Sequence, residues 1–339
     1  MMQRRIRIQL LALMLAAFTA AIAIAACSRP TVPTYEPIPP AEGRTIQHAG
    51  GTTVVPRSPK RVVILGSVVD ALALGIEPVG AAFAGFSSRA NAAELAPLLG
   101  DRTEGITVLG HVNQPNLERI TELQPDLILI LGTKGPGSFY PRLSQIAPTV
   151  MVDFSQGAAA WQEYVLAAAT ALGKPAEAEA LIQQYEQRVE QLQEALGDRR
   201  ETTVVSVARF LPERFRIYQK NSFSGAVLAE VGLPRPERQQ RPRAYENISL
   251  EKLSTMDGDV LFFMQDNPEQ STLTQVQNNP LWSQLDVVQR GQIHEVSLEV
   301  WFLNAGIVNA HMILNDLFRT LVPSGEQYVI DQVGELTLP

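Results

Sequence analysis

Residues 175–196, PAEAEALIQQYEQRVEQLQEAL, carry the strongest helix signal in the chain. Apolar side chains recur along them at helical period, and Glu, Gln and Arg fill the other faces. The apolar positions are Leu181, Tyr185, Val189, Leu192 and Leu196. Pro175 suits a first helical turn and Gly197 suits a helix end. At about 1.5 Å per residue this helix spans roughly 33 Å, the height of a small domain.

The segments on either side of this helix resemble each other. Residues 117–130, LERITELQPDLILI, match residues 250–263, LEKLSTMDGDVLFF, without a gap. The similar pairs are Leu117 and Leu250, Glu118 and Glu251, Arg119 and Lys252, Ile120 and Leu253, Leu123 and Met256, Asp126 and Asp259, Leu127 and Val260, and Ile128 and Leu261. Two shorter pairs of segments are also similar. They are LALGIEP (72–78) with LAEVGLP (228–234), and LSQIAPTVMV (143–152) with WSQLDVV (282–288). We infer two lobes of one architecture, with the 175–196 helix as the strut between them.

Both lobes are predicted to be α/β. Short apolar strands alternate with helices, which is typical of a parallel sheet covered on both faces. The predicted strands are 60–67, 78–83, 126–131, 149–154, 202–210, 259–264 and 292–297. The expected fold class is therefore two three-layer α/β lobes with mostly parallel sheets, joined by one long rigid helix.

The N-terminus is predicted to be a lipoprotein signal peptide over residues 1–26. Arg4, Arg5 and Arg7 precede an almost wholly apolar run that ends in Ile24-Ala25-Ala26-Cys27. This ending resembles a lipobox, in which Cys27 receives the lipid. An uncleaved transmembrane anchor is the alternative, because about 19 apolar residues can just span a bilayer. Cys27 is the only cysteine, so the mature chain has no disulfide and its fold must depend on a hydrophobic core.

The remaining boundaries follow from composition and pattern. Residues 27–42 are rich in proline and are expected to form an extended tether. The expected parts after the tether are an N-terminal lobe at 43–158, connecting helices at 159–197, a C-terminal lobe at 198–325 and a tail at 326–339.

The charge pattern excludes one class of partner and suggests another. Without the signal peptide, 25 Lys and Arg face 35 Asp and Glu, which leaves a net charge of −10. An acidic protein of this kind is not expected to bind nucleic acid. Residues 209–243 nevertheless carry eight basic and three acidic residues. We therefore expect a locally positive surface in the second lobe.

In open parallel sheets, ligands bind beyond the carboxyl ends of the strands. The loops at those ends hold basic, aromatic and polar side chains, which we take as candidate ligand contacts. The candidates are Ser67, Phe86, Arg89, His111, Asn113, Tyr140, Arg209, Arg243, Trp301 and Phe302. Arginine suits anionic ligands because its planar guanidinium binds carboxylates with two hydrogen bonds and stacks on flat groups. We expect Arg209 to end a strand, and Trp301 and Phe302 to form an apolar wall over the ligand or to pack in the core.

From about Pro59 to Leu321, the chain resembles the substrate-binding lipoproteins of ABC importers for iron-siderophores. That family also includes ferric hydroxamate, ferric citrate, catecholate and cobalamin binding proteins. The resemblance is carried by SPKRVVILGSVVDALALGIEPVGA, PNLERITELQPDLILI, NPLWSQL and EVWFLNAGIVNAHMILNDL, in that order and with the lipobox. It implies the class III binding-protein fold of two α/β lobes and one rigid connecting helix. It also implies a monomer that is exported, anchored to the membrane by lipid, and able to deliver a ferric siderophore to a permease dimer with its ATPase subunits.

The resemblance also implies that one surface glutamate on each lobe docks into the permease. The matching positions are Glu118 and Glu251, which pair in the internal repeat. Asn116 and Ser249 precede them as expected N-caps, which would place each glutamate in the first turn of a helix. There each carboxylate would also interact favourably with the helix dipole.

Four other functions remain as alternatives. A haem or a cobalamin binding protein would share the architecture, and a sensory lipoprotein would share the cleft without needing both glutamates. Free-metal binding is disfavoured because His48, His111, His294 and His311 lack ligand spacing, and we expect no metal site and no cofactor. Catalysis is disfavoured because the chain has no HExxH, no GxSxG and no phosphate-binding loop.

Overall fold

The computed structural model describes residues 39, 43–83, 105–132, 137–267 and 269–330. The expected signal peptide, Cys27 and all of the tether except position 39 lie outside these residues. Residues 37–339 form one compact unit. The described part begins with an antiparallel hairpin made of β1 (Gly43–His48) and β2 (Gly51–Pro56).

Within the described residues the first sheet has six strands. They are β3 (Val62–Leu65), β4 (Gly80–Phe83), β5 (Thr107–His111), β6 (Gln114–Pro115), β7 (Leu127–Leu131) and β8 (Thr149–Val152). The order is β6-β5-β4-β3-β7-β8, and every neighbouring pair is parallel except β5 with β6. The expected parallel sheet of the first lobe is therefore confirmed.

The second sheet is mixed. Its strands are β9 (Val205–Leu211), β10 (Arg214–Tyr218), β11 (Tyr245–Ile248), β12 (Val260–Gln265) and β13 (Ile293–Glu295), in the order β11-β10-β9-β12-β13. Strands β9, β12 and β13 are parallel, as expected, whereas β10 and β11 are antiparallel additions that the sequence analysis did not predict. A two-residue turn at Pro212 and Glu213 sends β10 back along β9. Pro212 fixes the first turn position and Glu213 takes a positive φ of 62°.

The described helices flank these sheets. They are α1 (Val69–Ala73), α2 (Leu117–Glu122), α3 (Tyr140–Leu143), α4 (Trp161–Leu172), α5 (Pro175–Leu196), α6 (Phe223–Val231), α7 (Leu273–Gln277), α8 (Asp286–Gln289) and α9 (Ile307–Leu321). The strut helix α5 begins and ends where the sequence predicts, and its apolar stripe is buried. The segment Leu250–Met256, which was expected to be an α-helix, is a 3₁₀-helix with a kink at Lys252.

The two aspartates of the internal repeat, Asp126 and Asp259, have the same structural role. Asp126 begins the segment that leads into β7, and its carboxylate accepts hydrogen bonds from the backbone N–H groups of Lys60 and Arg61 at 2.7 and 2.9 Å. Asp259, its repeat partner, precedes β12 and accepts a hydrogen bond from the N–H of Val204 at 2.8 Å. Each aspartate thus ties the start of one parallel strand to the start of its neighbour.

The two sheets share one hydrophobic core. Ile64 and Leu129 of the first sheet belong to the same buried cluster as Val207 and Phe262 of the second. Helices α4, α5 and α9 lie between them and supply much of this cluster. A separate, smaller cluster covers the outer face of each sheet. The two lobes are therefore joined by a packed layer as well as by the chain.

Polar contacts fix the strut helix within this layer. Arg188 of α5 is buried and donates hydrogen bonds to the carbonyl of His311, to Asn315 Oδ1 and to the carbonyl of Tyr328, at 3.1, 2.7 and 2.9 Å. These three acceptors belong to α9 and the turn that follows it. Since a buried guanidinium must be hydrogen-bonded, this network sets the position of α9 against α5.

Candidate functional site

Arg209 is buried beside a carboxylate at the carboxyl edge of the second sheet. Its side chain is 0 % exposed, and its Nε and Nη2 donate to Asp266 Oδ1 and Oδ2 at 2.5 and 2.6 Å. Asp266 directly follows β12, so two adjacent strands bring the pair together. Burial alone would lower the pKa of Arg209, but hydrogen bonding to Asp266 raises it. Arg209 is therefore held as a cation in one orientation.

The sequence predicts that Arg209 ends a strand with its side chain toward the ligand. Instead, β9 continues to Leu211. The Arg209 guanidinium donates hydrogen bonds to both carboxylate oxygens of Asp266. The expectation was wrong about the strand end because the β9–β10 turn lies two residues further along. Arg209 consequently has a carboxylate partner of its own within the protein.

Arg216 lies directly opposite Arg209 on the neighbouring strand β10. Its guanidinium carbon lies 4.1 Å from the ring centroid of Tyr245, a side chain that is 45 % exposed. No carboxylate forms an ion pair with Arg216 among the described residues, and its Nε has no hydrogen-bond partner there. Two guanidiniums and one carboxylate leave this face with a net positive charge, which suits an anionic ligand.

Tyr218 and Phe302 complete the same face. The Tyr218 hydroxyl accepts a hydrogen bond from Arg209 Nη1 at 3.4 Å and also contacts Arg216. Phe302 lies with its ring centroid 4.3 Å from the Arg209 guanidinium carbon and 5.3 Å from the Tyr218 ring. We call the set Arg209, Arg216, Tyr218, Tyr245, Asp266 and Phe302 the arginine–aromatic cluster.

Trp301 does not belong to this cluster, although the sequence analysis paired it with Phe302. Its side chain is buried, packs 4.8 Å from the Phe262 ring centroid and donates from Nε1 to Asp316 Oδ2 at 2.7 Å. The two neighbours diverge because Glu299–Leu303 is a π-helical turn. Of the two alternatives weighed for Trp301, core packing is therefore what the structure shows.

Sequence reasoning missed Arg216, Tyr218, Tyr245 and Asp266. A signal for the first two was present, because RFRIY alternates polar and apolar residues directly after a Pro-Glu turn. That pattern favours a hairpin strand with Arg216 and Tyr218 on one face. Phe215 and Ile217 indeed pack into the outer core of the sheet. Neither Asp266 nor Tyr245 carried a local signal, because their roles depend on strands that are distant in sequence.

In the first lobe, the predicted residues occupy separate positions. His111 ends β5, and its Nδ1 accepts a hydrogen bond from the N–H of the exposed Asn113 at 3.1 Å. Tyr140 packs edge-on against His48 at the end of β1, with ring centroids 5.6 Å apart. Phe86 and Arg89 lie outside the described residues.

Ser67 lines a small cavity of about 60 Å³ beyond β3, together with Asp70 and Asn304. Its hydroxyl is buried and has no hydrogen-bond partner among the described residues. Asp70 Oδ1 accepts a hydrogen bond from the N–H of Val308 at 3.2 Å, so this carboxylate joins α1 of the first lobe to the N-terminus of α9. Burial raises the pKa of Asp70 to about 6, although N–H groups of Val308 and Ile307 oppose this shift.

The expected docking glutamates occupy matching surface positions. Glu118 and Glu251 are both exposed, in the first turn of α2 and of the 3₁₀-helix Leu250–Met256. Asn116 caps α2 as expected, accepting from the N–H of Arg119 at 3.0 Å. The Ser249 side chain does not cap its helix as expected. It bonds to the Glu251 carboxylate instead, which lowers the pKa of Glu251.

The remaining observations concern the position of Arg243, metal binding and membrane-spanning helices. Arg243, an expected ligand contact, is exposed in the loop before β11. Within the described ranges, His, Cys, Asp and Glu side chains form no group of three that could hold a metal ion. Also within those ranges, no helix combines the length and the apolar character needed to cross a membrane.

The chain is similar to known proteins along nearly all of its folded part. The model of the family described as periplasmic binding protein matches residues 62–297. The probable siderophore-binding lipoprotein YfiY of Bacillus subtilis is 33% identical over 314 residues, which cover 88% of this chain and 94% of that protein. The Fe(3+)-citrate-binding protein YfmC of the same organism is 30% identical over 284 residues, covering 82% and 86%.

A solved structure has the same fold. Staphylococcus aureus SirA complexed with staphyloferrin B superimposes with a TM-score of 0.70 at 25% identity, and the match covers 85% of this chain and 99% of SirA. Because the match covers 99% of SirA, the likeness concerns the complete fold of that protein.

Proposed function

The chain belongs to the periplasmic binding protein family, and from this premise we propose that it captures a ferric siderophore and delivers it to an ABC importer. It acts as the substrate-binding component and catalyses no reaction. The iron is cargo that the siderophore holds, so the protein needs no metal ligands of its own. The names of YfiY and YfmC, which refer to siderophore and ferric citrate binding, support this function.

The arginine–aromatic cluster is the observation that carries the proposal. Arg216 has no carboxylate partner among the described residues, and it stacks on a tyrosine that is half exposed. Ferric siderophores are bulky, and many carry carboxylates or catecholates. A guanidinium can bind such a group with two hydrogen bonds, and an aromatic ring can cover its flat surface. The cluster therefore favours an anionic ferric siderophore.

Arg209 serves this site as a positioning residue. Its bond to Asp266 prevents it from rotating, and its guanidinium holds Phe302 and the Tyr218 hydroxyl in place. Phe302 then lies beside Arg209, and Tyr245 lies beside Arg216. A rigid, pre-positioned site loses little conformational entropy on binding, which favours high affinity.

Delivery requires a membrane partner and proximity to it. We propose that Glu118 and Glu251 dock into the two halves of a permease dimer whose ATPase subunits drive import. Their matched positions in the internal repeat support this role, since a two-fold symmetric partner needs equivalent contacts on both lobes. We also propose that Cys27 carries a lipid that holds the exported monomer at the membrane surface.

Fluorescence titration of the mature, lipid-free protein tests the ligand assignment. Ferric citrate, other carboxylate siderophores, catecholate and hydroxamate siderophores, haem and cobalamin are each added while tryptophan emission is recorded. Saturable quenching by a ferric siderophore at the lowest ligand concentration is expected. Gallium complexes of the same siderophores serve as controls, because they keep the charge and shape but do not absorb as the ferric complexes do.

The alternatives give different outcomes in the same titration. Tighter binding of haem or cobalamin than of every siderophore would contradict the proposal. A sensory lipoprotein would bind the siderophore but would not support uptake by cells that depend on it. Uptake of radioactive iron is therefore measured with the same ligand.

A further inference from the structure

A second pocket lies in the C-terminal lobe, close to the end of β10 at Tyr218. It has a volume of about 250 Å³ and is lined by one face of α6, by the start of the next segment and by the turn Glu237–Gln240. Arg235 lines it, and Lys220 stands at its rim with an exposed side chain. Gly225 of α6 packs against the backbone of Gln219 and Lys220, where no space is left for a Cβ.

Arg235 is a buried cation with unused hydrogen-bond donors. It is only 9 % exposed. Its Nε donates to the carbonyl of Val205 at 3.2 Å, and its Nη2 donates to the carbonyl of Tyr218 and to Gln239 Oε1 at 2.9 and 2.6 Å. Nη1 has no partner among the described residues. Two of the five N–H donors of the guanidinium are therefore unsatisfied.

No anion within the described part of the chain balances this charge. All three acceptors of Arg235 are neutral, and no Asp or Glu there forms an ion pair with it. Burial lowers the pKa of Arg235 to about 9, so the group still carries its charge at neutral pH. A buried, unpaired charge is costly for a protein to keep. An anion seated in the pocket would reduce that cost.

We propose that this pocket binds a small oxyanion of the phosphate or sulfate class between Arg235 and Lys220. Lys220 Nζ supplies a second, mobile cation, and the guanidinium supplies the directional donors. Leu233 and Pro234 form an apolar wall, which limits the ligand to a compact anion.

The proposed oxyanion site adjoins the siderophore site but uses different side chains. Arg235 donates to the backbone carbonyl of Tyr218, a member of the arginine–aromatic cluster, whereas its contact on β9 is Val205, four residues before Arg209. Because Arg235 contacts only the backbone of Tyr218, occupancy of one site is not expected to block the other.

Isothermal titration calorimetry with inorganic phosphate, and separately with sulfate, tests this site in the mature protein. The test variant is Ala229→Glu, which places a carboxylate in the pocket from an exposed helical position. The control is Ala176→Glu, which makes the same charge change at an exposed position in the first turn of α5. Wild type and Ala176→Glu should bind one oxyanion with equal affinity, and Ala229→Glu should bind at least about tenfold more weakly.

A second variant and a second ligand complete the test. Lys220→Gln should weaken phosphate binding severalfold, because one of the two cations is lost. Saturating ferric siderophore should leave phosphate affinity unchanged. The proposal is overturned if the wild type shows no saturable binding of either oxyanion, or if Ala229→Glu binds it as tightly as Ala176→Glu does.

Discussion

Arg209 and Arg216 face each other across the antiparallel strands β9 and β10, and only Arg209 is paired with a carboxylate. Like charges directly opposite each other on a sheet repel. Asp266 neutralises one of them, and the Tyr218 hydroxyl lies between the two guanidiniums. The remaining positive charge belongs to Arg216, whose Nε donor is free among the described residues.

Arg216, which has no carboxylate partner among the described residues, is expected to contribute much of the affinity for the ligand. Arg216→Gln should weaken binding of the ferric siderophore about tenfold to a hundredfold, because a charge-assisted hydrogen bond to the ligand is lost. Arg216 is only 7 % exposed and packs on Tyr245, so the free energy of unfolding is measured as well, to separate a loss of affinity from a loss of folding. Binding is measured by fluorescence quenching and stability by chemical denaturation. The exposed Arg57→Gln is the matched control, and equal losses of affinity in both variants would contradict the assignment.

Removing the carboxylate partner of Arg209 is expected to lower the stability of the protein. Asp266→Ala should lower the free energy of unfolding by about 3–5 kcal/mol, because Arg209 would remain buried without its counter-charge. Asp266→Asn keeps one acceptor oxygen and should cost less. Guanidinium denaturation of the three proteins measures the differences. A loss below about 1 kcal/mol in Asp266→Ala would show that Arg209 finds other partners.

Variants that lack both docking glutamates are expected to bind the siderophore normally but to lose transport. Glu118→Ala combined with Glu251→Ala should abolish iron uptake, because the contacts on both lobes are removed, while siderophore affinity stays at the wild-type value. Uptake is measured in cells whose only copy is the variant. Glu122→Ala with Glu269→Ala removes the same charge from other exposed positions and should transport normally. Normal uptake by the first pair would remove these residues from the docking surface.

The buried side chains of His311 and Asp70 are expected to change the stability of the protein with pH in opposite directions. Burial, and secondarily Arg188, lower the pKa of His311 from 6.5 to about 3. Below pH 6.5 the unfolded chain therefore binds a proton that the folded protein does not, and this group removes roughly 1.4 kcal/mol of stability per pH unit down to about pH 3.

Asp70 acts with the opposite sign. Its pKa is raised from 3.8 to about 6 in the folded protein, so its unfavourable contribution is relieved as the pH falls from 6 to 3.8. The two contributions should offset in the wild type over this range. Asp70→Asn, which keeps an acceptor for the α9 N–H groups, should lose stability steeply on acidification, whereas His311→Gln should not. Urea denaturation from pH 4 to 7 measures the slopes, and parallel slopes in both variants would contradict this account.

The shared core predicts a small closing motion on ligand binding. Helices α4, α5 and α9 pack against both sheets, so a large rotation of one lobe would expose apolar side chains to water. The radius of gyration from X-ray scattering should therefore change little when the ferric siderophore is added. The iron-free siderophore is the control. A large decrease with the ferric ligand would mean that the packed layer rearranges.

The sequence predicted what depends on local periodicity and on repetition. The 175–196 helix has the predicted bounds because its stripe is regular and Pro175 and Gly197 mark its ends. The two aspartates of the repeat have the same role in both lobes because each precedes an equivalent strand.

The candidate site was less predictable because it is assembled from distant segments. Arg209 and Asp266 are 57 residues apart, and nothing near either of them in sequence announces the pair. Trp301 and Phe302 are neighbours with different surroundings, since a π-helical turn decides which side chain faces the core. Composition indicated a positive region at 209–243, but only the strand register places Arg216 directly opposite Arg209.

The packed layer of helices α4, α5 and α9 also limits which parts of this protein can be exchanged with those of a relative. A chimera that exchanges one sheet with its outer helices for those of a relative would place foreign side chains against half of a single shared interior. A successful exchange would have to carry the facing positions of all three helices with it. Ligand preference is therefore more readily transferred by grafting the strand-end side chains than by swapping a lobe.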